Sequence, residues 1–354
     1  MRRFAVLICV LCVLLSGCAF WMPGERLTIT PHEAKNSQKS SEVMEVISFA
    51  QLRSTLKELV EQGVEEAVLS ASSFNETTLD YYVSTAVNNI TDNTAIGAYA
   101  VNKITYEIGT NRGVPVVAFR IEYKHAKTEI DALKTVKTTE EMVEQLTGAL
   151  DNCEQSVALF VEHYEPFDFA KYIDEYANSH PDRVMETPYV SVAAYPTTGE
   201  ERVLEITLTY FTDKEELLEM QRYVQAVFTS AELYVNKTDE VIDVYSRLYS
   251  FLMERSEYSL QTSQTPAYDL LHSGIGDSRA FANVYAAMCS RVGLECDVVS
   301  GLRDGEQWYW NAFQYRGQTY HIDLLRCNEN NMFVLTHGKE LTGYEWDIAA
   351  FPLE

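Results

Sequence analysis

Three short segments hold the residue types that could do chemistry. They are Gly276-Asp277-Ser278-Arg279-Ala280-Phe281-Ala282, Trp308-Tyr309-Trp310-Asn311 and His321-Ile322-Asp323. Ser278 stands where a helix begins. A thiol there would be pushed toward thiolate by the helix N-terminus or a nearby imidazolium. A serine hydroxyl is not, so it needs a positioned general base. Trp308 offers only an indole N–H, a donor without a basic lone pair. His321 and Asp323 lie two apart on an extended run and so share a face. Acyl transfer from Ser278 would need His321 as substitute base and Asp323 as its orienter. His272 and His337, on loops, are weaker bases for the same role.

In their order along the chain, these segments resemble the catalytic segments of transglutaminase-like cysteine enzymes. That family places a Cys at the start of a helix, a His at the head of a strand and an Asp or Asn on the next strand. By this resemblance the Cys position is Ser278, the His position is Trp308, and Asp323 remains. The resemblance implies a papain-like α+β domain with a degenerate triad. Serine paired with tryptophan has neither the thiolate route nor the base-assisted route, so the site reads as inactive.

The elements that must position these residues follow the same order. A helix over 240–254 carries Val241, Val244, Tyr245, Leu248 and Phe251-Leu252 on one face. Ala267 to Gly274 resembles the loop that leads to the nucleophile. The Ser278 helix has small Ala282 and Ala286 for close packing, and Gly293 ends it. Strands are expected at 297–301, 310–313 and 319–324, the last carrying Asp323. The domain spans 236–354.

Upstream lies an internal duplication. Ser48 and Thr138, about 90 residues apart, are equivalent N-caps. Leu52, Leu56 and Val60 match Met142, Leu146 and Leu150 at helical spacing. Each helix runs into a short apolar strand, an amphipathic helix (77–89 or 167–178) and two strands. Those strands are 96–108 and 114–123 in the first copy, 189–195 and 202–210 in the second. A third helix follows, clear at 214–228. The fold class is α+β: two small α-β-α-β-β units, 42–135 and 136–235, followed by the transglutaminase-like domain. Neither unit carries a phosphate loop, a carboxylate pair or a histidine cluster, so they read as binding or spacer modules.

The N-terminus specifies location. Arg2 and Arg3 precede an apolar run, Phe4 to Leu15, of signal-peptide length. Leu15-Ser16-Gly17-Cys18 resembles the bacterial lipobox, which implies lipidation at Cys18, a signal peptide over 1–17 and an extracytoplasmic, lipid-anchored protein at the cell membrane. Residues 18–41 lack apolar periodicity and read as a flexible tether. The net charge of −24 excludes nucleic acid as a partner, since no basic stripe meets phosphates. No Cys/His spacing suggests zinc, and no cofactor is expected. These features together imply a membrane-anchored lipoprotein whose inactive transglutaminase-like domain serves as a binding or scaffold module for an envelope peptide or protein. The alternative is a hydrolase or peptidase that uses Ser278 with His321.

Overall fold

The computed structural model describes residues 43–236 and 238–353. Cys18 of the expected lipobox, the expected signal peptide over 1–17 and the expected tether over 18–41 lie outside the described residues. Among the described residues no helix is long and apolar enough to cross a membrane.

The first unit runs β1 (Met44–Glu45), α1 (Phe49–Glu61), β2 (Glu66–Ser70), α2 (Glu76–Asn93), α3 (Ala95–Ala100), β3 (Val101–Asn111) and β4 (Val114–Tyr123). The second runs α4 (Lys127–Asp131), β5 (Lys134–Val136), α5 (Thr139–Asp151), β6 (Ser156–Val161), α6 (Phe169–Ser179), β7 (Tyr189–Tyr195), β8 (Arg202–Thr209) and α7 (Lys214–Tyr234). The two sheets repeat each other strand for strand, in the orders β1-β2-β4-β3 and β5-β6-β8-β7. In each, the first pair is parallel and the other two are antiparallel. Leu69 opposite Val117 in one sheet corresponds to Leu159 opposite Leu204 in the other, and all four are fully buried. Ser48 and Thr138 cap α1 and α5, each accepting from the backbone N–H three residues on at 3.3 Å. The leucines, valine and methionine matched between these helices are all buried.

Four details depart from the sequence expectations. Strands β1 and β5 are too short to leave an alternating pattern. The strand expected from Ile96 begins instead with α3, because Thr94 caps a helical turn by accepting from Gly97 N–H at 3.2 Å. Strand β5 starts at Lys134, inside the span assigned to the first unit, and pairs with β6 of the second. Helix α7 extends to Tyr234 and buries Leu217, Val224, Phe228 and Ala231 in one core with the last domain, joined there by Cys153 and Met185 of its own unit.

That last domain comprises α8 (Val241–Met253), β9 (Glu257–Tyr258), α9 (Pro266–Ser273), β10 (Ile275–Gly276), α10 (Ser278–Arg291), β11 (Asp297–Arg303), β12 (Glu306–Tyr315), β13 (Gln318–Ile322), α11 (Leu324–Glu329) and β14 (Tyr344–Trp346). Its sheet has the order β13-β12-β11-β14. Helix α10 packs on β12, where Asn311 Nδ2 donates to the Ala282 carbonyl at 2.9 Å. Ala282 is 1% exposed, and a larger side chain would hold helix and sheet apart. Phe313 stacks on Tyr245 of α8 at 3.9 Å, closing the same layer. The segment expected as a loop before the nucleophile position is helix α9. Pro266 starts it, and Gly274, left-handed at φ 75°, ends it. The mixed α+β class holds throughout the described residues.

The units are joined end to end. Helix α3 lays Ala95, Tyr99 and Ala100 against Val203, Phe160 and Tyr195 on the outer face of the second sheet. Helix α6 then meets α10: Arg279 pairs with Asp174 at 3.1 Å, and Asn283 Nδ2 donates to Asn178 Oδ1 at 2.9 Å. Arg291 bridges Asp182 and Glu232 beside them.

Candidate functional site

Asp277, not Ser278, caps α10: its Oδ1 accepts from Ala280 N–H at 2.8 Å. Ser278 is therefore the first helical residue, 7% exposed. Among the described residues its hydroxyl makes no hydrogen bond and meets no base. Two residues before it, Gly276 pairs with Tyr258 across the short β9–β10 ribbon. The Tyr258 ring lies 5.2 Å from that of Trp308. On the helix's other side Arg279 sits over Tyr309, 5.5 Å from the ring centre. The head of α10 and the first half of β12 thus share one corner of the domain.

Trp308 and Asp323 meet directly. The Trp308 indole N–H donates to Asp323 Oδ2 at 2.9 Å, with both groups buried. The sequence expectation put Asp323 on a strand. It instead follows β13 as the N-cap of α11, and its Oδ1 accepts from Leu325 and Arg326 N–H at 3.0 and 3.1 Å. Oδ2 also accepts from the Tyr344 hydroxyl at 2.5 Å and from Arg303 at 3.4 Å. The same guanidinium covers the Trp308 ring at 5.0 Å and pairs with Glu329 at 2.7 Å. Asp323 and Arg303 push the Tyr344 phenol in opposite directions. Burial and the carboxylate win, so it stays protonated well above its usual range.

Tyr344 and Arg303 gave no signal in the sequence. Tyr344 is 21 residues beyond Asp323. It arrives because β14 pairs with the end of β11, Tyr344 opposite Arg303.

His321 has a different neighbourhood. Its Nδ1 accepts the indole N–H of Trp310 at 3.0 Å, and no hydrogen bond joins it to Asp323. Two residues of spacing do not place the pair together, because Asp323 has left the strand to begin a helix. His321 is 1% exposed and its Nε2 has no partner. Burial first, and the neighbouring His337 second, pull its pKa down to about 4. His272 stacks on Tyr268 at 4.8 Å, and the His337 ring lies 4.6 Å from Tyr320.

The chemical capacity of the corner follows from these contacts. An imidazole at position 308 would keep one nitrogen for the carboxylate and offer the other to a nucleophile. Indole has one N–H, and Asp323 takes it. What remains beside the head of α10 is a groove of about 310 Å3, walled by Ser263, Pro266, Asp269, Gly276, Asp277 and Ala280. The four described cysteines are free thiols, and Cys327 lies in the first turn of α11, its backbone N–H donating to the Asp323 carbonyl at 2.9 Å.

Residues 229–331 match the family model of the transglutaminase-like superfamily. No curated protein matches the chain. Among solved structures, a TGase is 12% identical with a TM-score of 0.27, over 61% of this chain and 63% of its own length. A candidate cysteine protease from Cytophaga hutchinsonii is 14% identical with a TM-score of 0.27, over 47% of this chain and 69% of its own. A candidate protease from Parabacteroides distasonis is 10% identical with a TM-score of 0.24, over 73% of this chain and 40% of its own. The chain thus spans under two thirds of the length of that TGase. Likenesses at this level say nothing of substrate or activity, and the assignment of a transglutaminase-like domain rests on the family match.

Proposed function

We propose that this chain, whose residues 229–331 are a transglutaminase-like superfamily domain, is a lipid-anchored extracytoplasmic binding protein that retains the family's fold without its chemistry. The observation that carries this reading is the Trp308–Asp323 hydrogen bond: the carboxylate that would orient a catalytic imidazole holds an indole instead. A serine whose only nearby ring donor is an indole N–H already given to a carboxylate would have no route to an alkoxide at neutral pH. The groove beside Gly276 and Asp277 would then hold an envelope peptide or protein segment without turnover. Anchoring rests on Leu15-Ser16-Gly17-Cys18. A diacylated Cys18 would hold stably, since two chains bind a bilayer where one binds only marginally.

Two measurements test the proposal. A serine-reactive phosphonate should label the protein no more than its Ser278→Ala variant. Labelling that disappears in that variant would instead support a hydrolase using Ser278 with His321 as base. Cys18→Ala should abolish incorporation of a palmitate analogue and release the protein from membranes, and incorporation that persists would refute lipidation there.

A further inference from the structure

A second cleft, remote from the degenerate triad, opens where the first unit meets the second. It measures about 570 Å3, within the usual range for small-ligand sites. One wall comes from the first unit, with Tyr99 of α3 and His125 just after β4. The floor is the outer face of the second sheet, with Ala158 and Glu205; Glu129 of α4 and Gln145 of α5 complete it.

The polar groups here are not in balance. Tyr99 is 3% exposed, yet its hydroxyl makes no hydrogen bond among the described residues. Its ring is fixed by His125 stacked at 4.1 Å and Tyr195 edge-on at 5.8 Å. Burial, then the charges of Glu205 and Glu129, which line the same cleft, raise the phenol's pKa. Among the described residues Glu205 accepts one long hydrogen bond, from the Tyr195 hydroxyl at 3.5 Å. The nearby Lys134 ammonium is taken by Gln145 at 2.7 Å, and Glu154 by Lys214 at 2.8 Å. Glu129 caps α4 through Ala126 N–H at 2.6 Å, with its other oxygen 3.8 Å from His125. Half-buried negative charge, an unused phenol and an aromatic wall therefore face the same space.

These carboxylates do not converge: no described group of three or more His, Cys, Asp or Glu could hold a metal ion. The geometry suits a cation extended along a chain, its charge at Glu205 and its methylenes against the His125 ring that covers Tyr99. The duplication supports the specificity. By sheet register, Glu205 opposite Ala158 corresponds to Ala118 opposite Val68 in the first unit, where the acidic side chain stands instead on the neighbouring strand as Glu107, so the two faces are not equivalent.

We propose that this cleft binds a primary ammonium on a short aliphatic chain, the chemistry shared by a lysine side chain and a linear diamine. Calorimetry on the full chain with 1,5-diaminopentane, Nα-acetyl-lysinamide and uncharged 1,5-pentanediol tests it. At least one amine should bind and the diol should not; which amine binds more tightly distinguishes a free diamine from a peptide side chain. Glu205→Gln should weaken amine binding about tenfold or more, the scale of a lost charge-assisted hydrogen bond. Lys134→Gln, on the exposed rim, removes a competing cation and should tighten binding several-fold, which decides the matter if Glu205→Gln does not fold. Binding of the diol equal to that of the diamine, binding of neither amine, or amine affinity unmoved by the folded variants would overturn the assignment.

Discussion

Asp323 accepts five hydrogen bonds, two on Oδ1 and three on Oδ2, and this saturation governs what substitution can do at the site. Ser278→Cys alone adds a thiol with no base beside it, and Trp308→His alone adds a base beside a poor nucleophile. Ser278→Cys with Trp308→His should therefore alkylate with iodoacetamide at position 278 faster than Ser278→Cys alone at neutral pH. Equal rates would mean that positions 278 and 308 are not functional neighbours. The double variant should also lose roughly 2–4 kcal/mol of stability as buried indole volume is removed. His321 makes a separate, pH-dependent prediction. Its neutral form is the folded one, with a pKa of about 4 against an ordinary 6.5. Protonation thus favours the unfolded chain. Stability should be unaffected by this group above about pH 6.5 and fall as pH drops toward 4, by about 2 kcal/mol between pH 7 and 5. Urea denaturation at the two pH values should show that loss reduced in His321→Gln, which keeps an acceptor for Trp310. An undiminished loss would assign the pH dependence elsewhere.

The last sheet depends on a close approach that only one residue type permits. A Cβ at Gly301 would stand 2.1 Å from the Glu345 carbonyl oxygen and 2.8 Å from the Trp310 ring. Both are fixed, one by the β11–β14 ladder and the other by its hydrogen bond to His321. Gly301→Ala should part β14 from β11, withdraw Tyr344 from Asp323 and cost about 1–3 kcal/mol or more. Thermal unfolding gives the cost. Tyrosine and tryptophan near-ultraviolet dichroism reports the corner, because Trp308, Trp310, Trp346 and Tyr344 all border this contact. An unchanged spectrum would show that β14 tolerates the added carbon. The helices of the same domain were easier to read. Val244, Tyr245, Leu248 and Leu252 form the buried stripe of α8 at helical spacing. Strands β1 and β5 were invisible because two or three residues cannot display a period of two.

Across the whole molecule, each part lends an element to the next. Helix α3 of the first unit covers part of the second sheet, and α7 of the second completes the core of the last domain. The family match begins at residue 229, in the last turns of α7. A fragment over 236–354 should therefore fail to fold, since it loses buried Leu217, Val224 and Phe228, each worth about 1.5–3 kcal/mol. A fragment over 210–354 retains α7 and should unfold cooperatively. Circular dichroism melting and binding of a hydrophobic dye separate the two, and a cooperative melt of the shorter fragment would make α7 dispensable.

The identity of the residues at positions 278, 308 and 323 is a property of the sequence, and so is the resemblance on which the proposal of a hydroxyl and an indole in place of a thiol and an imidazole rests. The duplication was also legible, because caps and apolar spacing are local and repeat with the same offset in both copies. The partners of Asp323 were not. Arg303 and Tyr344 reach it through strand register, a non-local pairing that leaves no mark on neighbouring residues. The separation of His321 from Asp323 likewise needed the tertiary structure. Alternation holds only while the strand continues, and the carboxylate ends the strand by satisfying the first N–H groups of α11. The ammonium cleft is further still from the sequence: Tyr99 and Glu205 come from different units and meet only because one sheet's outer face is partly covered by the other's helix.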